Sequence, residues 1–389
     1  HPDLHVLEHY VGIGAGDSDH LGIIRHVIEE IKVRYERSEE IPSRPEELER
    51  AFANWLGFNV GAPMLLVLDG INQLSGRALE LHWLPPAMPE GVRLVISSTV
   101  ERTLVDLRSR GWIELGMQPL SESEREAVVV RFLAEYAKAL SPGQVKRIAT
   151  DVKCSHPLFL RTLLEELRLQ GEHEHLELAL DKLLRTTGTE DLFQQVLERL
   201  EDDYGAKSVR EVLTLIFASR RGLGEDDLET LTRISRLKLS TLLLGLDYHL
   251  VRRDGLLSFF HDYLRRAVEK RYLPDMDKRR EPSERLAAHF QSLPPTLQTS
   301  LELLHALETL HERDRLEDVL SDVSRFELLW FGDRDAVLRL WSSYDGKRVA
   351  DAYRPMVESL RTSVDVNRRR VLLTAVAALQ ELVGNWSEA

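Results

Sequence analysis

Cysteine is almost absent: Cys154 is the only one in 389 residues. No disulfide can form within the chain, which fits a reducing compartment and an expected cytoplasmic location. No apolar run reaches the roughly 20 residues that cross a bilayer as a helix, so no membrane partner is expected. Positive charge is in deficit: 51 Lys and Arg face 64 Asp and Glu, a net charge of −13. That balance argues against a chain held to nucleic acid by bulk electrostatics. The run "NRRR" (Asn367 to Arg370) is a local exception and reads as a solvated helix end. The first residue is His1, and "HPDLHVLEHY" has neither the basic nor the apolar region of a signal peptide. The expectation is a piece of something longer. What is present is a globular composition, 43% apolar and 30% charged, in a length that suits two to four domains.

Along residues 1–118 strands alternate with helices, the pattern of an open α/β sheet. Residues 4–13 read as a strand. Asp19 can cap the helix that follows, in which Leu21, Ile24, Ile28 and Ile31 are helix-spaced. "RPEELERAFANWL" is a second helix with Pro45 in its first turn. Met64 to Leu68 is uniformly apolar and ends at Asp69-Gly70, which reads as a parallel strand covered on both faces. "GVRLVISST" repeats that pattern, and "WIELGMQPL" reads as a further short strand. From Ser121 the pattern turns helical, opening on a capping box between Ser121 and Glu124. Residues 207–273 show three short helical patterns and then Asp254-Gly255 between two strand-like runs, a hairpin signal. Helices followed by a hairpin is the order of a winged helix. "RYLPDMDKRREP" reads as a charged linker with two prolines, and helical pairs fill the rest. The last stretch, with Gly384 before "WSEA", reads as the first half of a tetratricopeptide unit.

Chemistry centres on Asp69. A carboxylate delivered to the carboxyl edge of a parallel sheet is where a magnesium–nucleotide site needs one. An Asp that merely opens a turn before Gly70 is the other reading. Ser97, Ser98 and Thr99 end the neighbouring strand, placed either to sense a γ-phosphate or simply to terminate it. The glycines of Gly12-Ile13-Gly14-Ala15-Gly16 are no phosphate cradle: no Lys-Ser/Thr follows, and Asp17 occupies the third glycine position of a dinucleotide fingerprint. They read as a turn from strand to helix. His1, His5 and His9 fall within a strand and imply no helical metal face. "GEHEHLE", with Glu172, His173, Glu174 and His175, allows a metal site or a solvated helix start.

"MLLVLDGINQL", "VRLVISST", "MQPLSESEREAVVVRFLAEYAKALS", "SHPLFLRTLLEELR" and "LLSFFHDYLRRAVEKRYL" occur in that order. The set resembles the STAND class of P-loop NTPases, closest to its NACHT-type, nephrocystin-like branch with tetratricopeptide or WD repeats, over about residues 1–330. The resemblance implies a partial P-loop NTPase α/β domain (1–118), a helical lid (119–206), a winged helix (207–275) and a helical region leading into repeats (276–389). It implies ATP or ADP with Mg as cofactor in the intact protein. Asp69 resembles the Walker B aspartate, catalytic and metal-holding. Ser98 and Thr99 fall at the sensor position, and His156-Pro157 resembles the lid's proline motif. His261 resembles the histidine that reaches the β-phosphate of ADP; a histidine that caps or packs a helix is its other reading. Exchange of ADP for ATP would free the domains to rotate and form homo-oligomers, while the C-terminal repeats bind protein partners.

Three departures bear on this. Ile71-Asn72-Gln73 stands where many relatives have an acidic residue, which implies slow hydrolysis. Thr99 stands where many have Arg; Arg102 lies on the next helix. No G-x-x-x-x-G-K-[ST] occurs anywhere, so the P-loop and its strand are expected before His1. Without that strand the α/β part should fold poorly, and the chain alone should bind nucleotide weakly or not at all and be inactive. The rival expectation is a degenerate NTPase that serves as a helical protein-interaction scaffold without turnover.

Overall fold

The computed structural model describes residues 4–11, 20–42, 45–58, 63–74, 76–99, 101–169, 173–342, 344–361 and 365–383. The glycine run 12–16, Asp19 and the stretch from Gly384 onward lie outside them. The fold is α/β followed by all-α, as expected. Two compact units divide the chain, His1–Leu120 and Ser121–Ala389, each with its own apolar core.

The first unit is built on β1 (His5–Tyr10), α1 (His20–Arg34), α2 (Pro45–Leu56), β2 (Met64–Asp69), β3 (Val92–Ile96) and α3 (Glu101–Ser109). The strands form one parallel sheet in the order β1-β2-β3, with His5 opposite Met64 and Met64 opposite Val92. Parallel neighbours need crossover connections: α1 and α2 lie between β1 and β2, short 3-10 turns lie between β2 and β3, and α3 follows β3. On α1 the stripe Ile23, Ile24, Val27, Ile28 and Ile31 is buried, the one-sided pattern of a helix lying on a core. Met64, Leu66 and Leu68 of β2 are buried, whereas Leu65 and Val67 on its other face are half-buried. The expectation of a strand covered on both faces therefore holds for one face only. The third strand departs further. Among the described residues β3 pairs with β2 alone, and Val95 is 52% exposed.

Residues 112–120 form no strand. Ile113, Leu115 and Met117 are 100%, 84% and 88% exposed. Their period of two is that of a strand, but alternation alone makes no ladder. A strand needs a neighbour to accept its backbone hydrogen bonds.

The second unit starts with α4 (Glu122–Ala134), α5 (Pro142–Thr150), α6 (Pro157–Leu169), α7 (His173–Leu184) and α8 (Thr189–Tyr204). The capping box read from sequence is present: Ser121 N donates to Glu124 Oε2 at 2.8 Å and Glu124 N to Ser121 Oγ at 3.3 Å. Then come α9 (Ala206–Ala218), α10 (Glu225–Thr232), α11 (Arg236–Gly245), the antiparallel pair β4 (Leu250–Arg253) and β5 (Leu256–Phe259), and α12 (Asp262–Tyr272). The hairpin turns at Asp254 and Gly255, both at positive φ, 49° and 81°, which a two-residue hairpin of this twist requires. Leu223 pairs with Leu257 as an isolated antiparallel bridge. Gly222 makes this possible: its φ is 101°, and a Cβ there would lie 2.3 Å from Leu257 O.

Seven helices follow among the described residues: α13 (Met276–Ser292), α14 (Leu297–Thr309), α15 (Arg313–Ser321), α16 (Val323–Gly332), α17 (Arg334–Trp341), α18 (Gly346–Arg361) and α19 (Val366–Leu382). The segment read as a linker is the start of α13, which runs through Pro282. Proline removes one ladder bond, yet Pro282, Ser283, Leu286, Ala287 and Phe290 are buried, and that packing keeps the helix continuous. Asn367 to Arg370 falls in the first turn of α19, where Arg368 pairs with Glu327 at 2.6 Å. One core runs from α8 through α9 and α12 to α19.

Candidate functional site

Asp69 is the last residue of β2 and is exposed. Its backbone is fixed from both sides. Val11 N donates to Asp69 O at 2.8 Å, and Ser97 N donates to Leu68 O at 3.0 Å. Ile71 N in turn donates to Ser97 O at 3.2 Å. The parallel register thus carries the ends of β2 and β3 to the same edge of the sheet. Ser97 Oγ donates directly to Asp69 Oδ1, and Gly70 N donates to Ser97 Oγ at 2.8 Å. Gly70 sits at φ 75°, with Gln73 Nε2 only 2.8 Å from where a Cβ would stand. A side chain there would be strained, so the turn that leaves the carboxylate exposed depends on glycine.

Ser98 is half-buried and Thr99 exposed, two and three residues past the end of β3. The residue that touches Asp69 is Ser97. Counting the register outward from the apolar pairs would have singled it out, because Leu68 opposite Ile96 leaves Asp69 beside Ser97. The carboxylate presents an anionic edge with a hydroxyl bound to it, which suits a hydrated divalent cation. The chain supplies no lysine loop to answer phosphate oxygens beside it.

Pro157 and His261 belong to the second unit. Pro157 opens α6, where its missing N–H costs nothing. His261 occupies the N-cap of α12 without capping it through its side chain. The two helix starts meet there: the His156 and Tyr263 rings stand edge-on at 6.0 Å. Burial pushes the His261 pKa down, and the Arg161 charge on α6 adds to that. Both effects favour the neutral imidazole, which can donate one hydrogen bond and accept one. Behind it lies His249, which the sequence did not single out. It is 6% exposed, its ring edge-on to Phe193 at 5.7 Å. Burial, then the charges of Arg199 and His261, lower its pKa to about 4.

Burial, then Asp151, raises the Cys154 thiol to about 12, so it carries no thiolate chemistry at neutral pH. The side chains of His173 and His175 lie outside the described residues, among which no group of three His, Cys, Asp or Glu could hold a metal. No helix among the described residues is long and apolar enough to cross a membrane.

A parallel sheet with an acidic carboxyl edge, followed by a helical second unit, defines the class. No family model matches the sequence. Individual relatives do. A TPR repeat-containing protein of Dictyostelium discoideum is 29% identical over 321 residues, 70% of this chain and 19% of that protein. Mouse nephrocystin-3 is 24% identical over 305 residues, 75% of this chain and 23% of its own length. Human NACHT and WD repeat domain-containing protein 2 is 24% identical over 319 residues, covering 73% and 18%. The chain is similar to these NACHT- and repeat-bearing proteins, in line with the resemblance that the order of its motifs carries. It spans about a fifth of the length of the curated relatives it matches.

Proposed function

We propose that the chain is the core of a nucleotide-dependent regulatory switch, working with ATP or ADP and Mg in the intact protein. Asp69 holds the metal and takes the catalytic role. Ser98 and Thr99 sense the γ-phosphate side, Pro157 lies near the base, and His261 answers the β-phosphate. In this reading 1–118 is the partial NTPase domain, 119–206 the lid, 207–275 a winged helix and 276–389 the approach to a repeat array. Hydrolysis is slow, because Asn72 offers no second carboxylate. Bound ADP favours the closed state and ATP an open state that forms homo-oligomers, a population shift driven by differential affinity. The repeats bind protein partners in the cytoplasm.

The observation that carries this reading is the contact of Ser97 with Asp69 at the carboxyl edge of the sheet, because ligands of open α/β sheets bind at that edge. Titration of the intact protein with fluorescent ADP and ATP tests it. Binding should need Mg, and Asp69→Ala and His261→Ala should each weaken it about tenfold or more, the cost of about 1.4 kcal/mol of lost contact. Binding indifferent to both substitutions would reject the switch. The absent lysine loop, Asn72 and Thr99 favour a second reading, a degenerate NTPase acting as a scaffold. It expects partner capture by residues 276–389 to be the same with and without nucleotide.

A further inference from the structure

Five cations line one cleft of about 500 Å³ in the second unit: Lys207, Arg210, Arg271, Lys278 and Arg285. The ends of α8 and α12 and the starts of α9 and α13 form its walls. The volume falls within the range of small-molecule sites. Tyr272, Leu273 and Pro282 give it an apolar wall, all three buried.

The carboxylates in the cleft are already engaged. Glu201 accepts from Arg271 Nε at 3.0 Å, Arg271 Nη2 at 2.5 Å and the Tyr272 hydroxyl at 2.6 Å. Glu211 faces Arg285 at 3.5 Å and Lys207 at 3.8 Å. Glu281 lies 3.8 Å from Arg285. These three carboxylates, with Glu198 at 3.8 Å from Arg271, pair with Lys207, Arg271 and Arg285, which leaves two cations of the cleft over. Arg210 and Lys278 are exposed and form no ion pair among the described residues. A concave surplus of positive charge is unexpected in a chain of net charge −13, since like-charged side chains confined to one cleft repel unless an anion joins them.

We propose that this cleft binds a water-soluble phosphorylated small molecule, with Arg210 and Lys278 gripping the phosphate. Two surplus charges match a phosphate dianion, and the guanidinium of Arg210 offers the paired donors that phosphate oxygens accept. The Tyr272–Pro282 wall packs against the organic part. This site is built from residues of the second unit alone and does not rest on the nucleotide reading.

Calorimetric titration of the full chain with inorganic pyrophosphate at low salt tests the proposal. Saturable binding is expected, weakened about tenfold or more in the double variant Arg210→Ala, Lys278→Ala and unchanged in Asp69→Ala. Both substituted residues are exposed, so folding is not at issue, and Lys238→Ala serves as a control with no effect. The absence of saturable binding, or full retention in the double variant, would overturn the proposal. So would loss in Asp69→Ala, which would move the binding to the sheet edge. Co-sedimentation with phosphoinositide vesicles separates the two sources of phosphate: retention on vesicles without pyrophosphate binding would overturn the soluble class.

Discussion

The two units solve backbone pairing in different ways. In the second, helices satisfy their own N–H and C=O groups, so a closed core needs only apolar stripes that meet. In the first, a parallel sheet depends on neighbours far away in sequence. Its third strand carries Val95 at 52% exposure, and Ile113, Leu115 and Met117 stand almost bare. A helical segment can be complete in itself, whereas a strand is complete only within its sheet. The candidate chemistry follows the same division. Asp69 stands at a strand end fixed by register, and His261 at a helix start fixed by packing.

Substitutions in the closed core should show the largest effect. Trp341 is fully buried and donates to the Tyr353 hydroxyl at 3.2 Å, which itself donates to Leu320 O at 2.8 Å. Trp341→Ala should cost about 3–5 kcal/mol, read as a lowered midpoint in urea denaturation. A cost within about 0.5 kcal/mol would mean that this core is not closed.

Acid should come next, acting through His249. Its folded pKa lies below its unfolded one, so the unfolded chain binds the extra proton first. The neutral form is compatible with burial above about pH 6.5, and stability falls as pH drops from there toward about 4. The loss should reach about 3 kcal/mol. His249→Phe should flatten that part of the pH profile, and an unchanged slope would count against this assignment.

Gly222 gives a smaller effect. Gly222→Ala forces a Cβ against Leu257 O at positive φ and should cost about 1–3 kcal/mol in the same unit. Smallest of all is the open sheet edge. Val95→Lys should change stability by less than about 0.5 kcal/mol, while reducing self-association measured by light scattering. A large loss of stability there would mean that β3 is covered after all, and the contrast between the units would break.

Much of this was legible in the residues. The apolar run Met64 to Leu68 announced a strand that ends at Asp69, and Asp254-Gly255 announced its hairpin, because both signals are local. The capping box at Ser121 was equally local. What failed was non-local. "WIELGMQPL" has the period of a strand but pairs with no strand among the described residues. Pro282 signals a break, yet the burial of Leu286 and Phe290 holds α13 together. Ser97 was named with Ser98 and Thr99, but its contact with Asp69 emerged only from register, and His249 behind His261 emerged only from packing.

Hydrogen–deuterium exchange of the intact protein, with and without ADP and Mg, tests the central claim most directly. The account predicts that ADP slows exchange at residues 69–74 and 97–99 and at 260–264 in one titration, and that Asp69→Ala removes the effect. Exchange unchanged at both stretches at saturating ADP would contradict it.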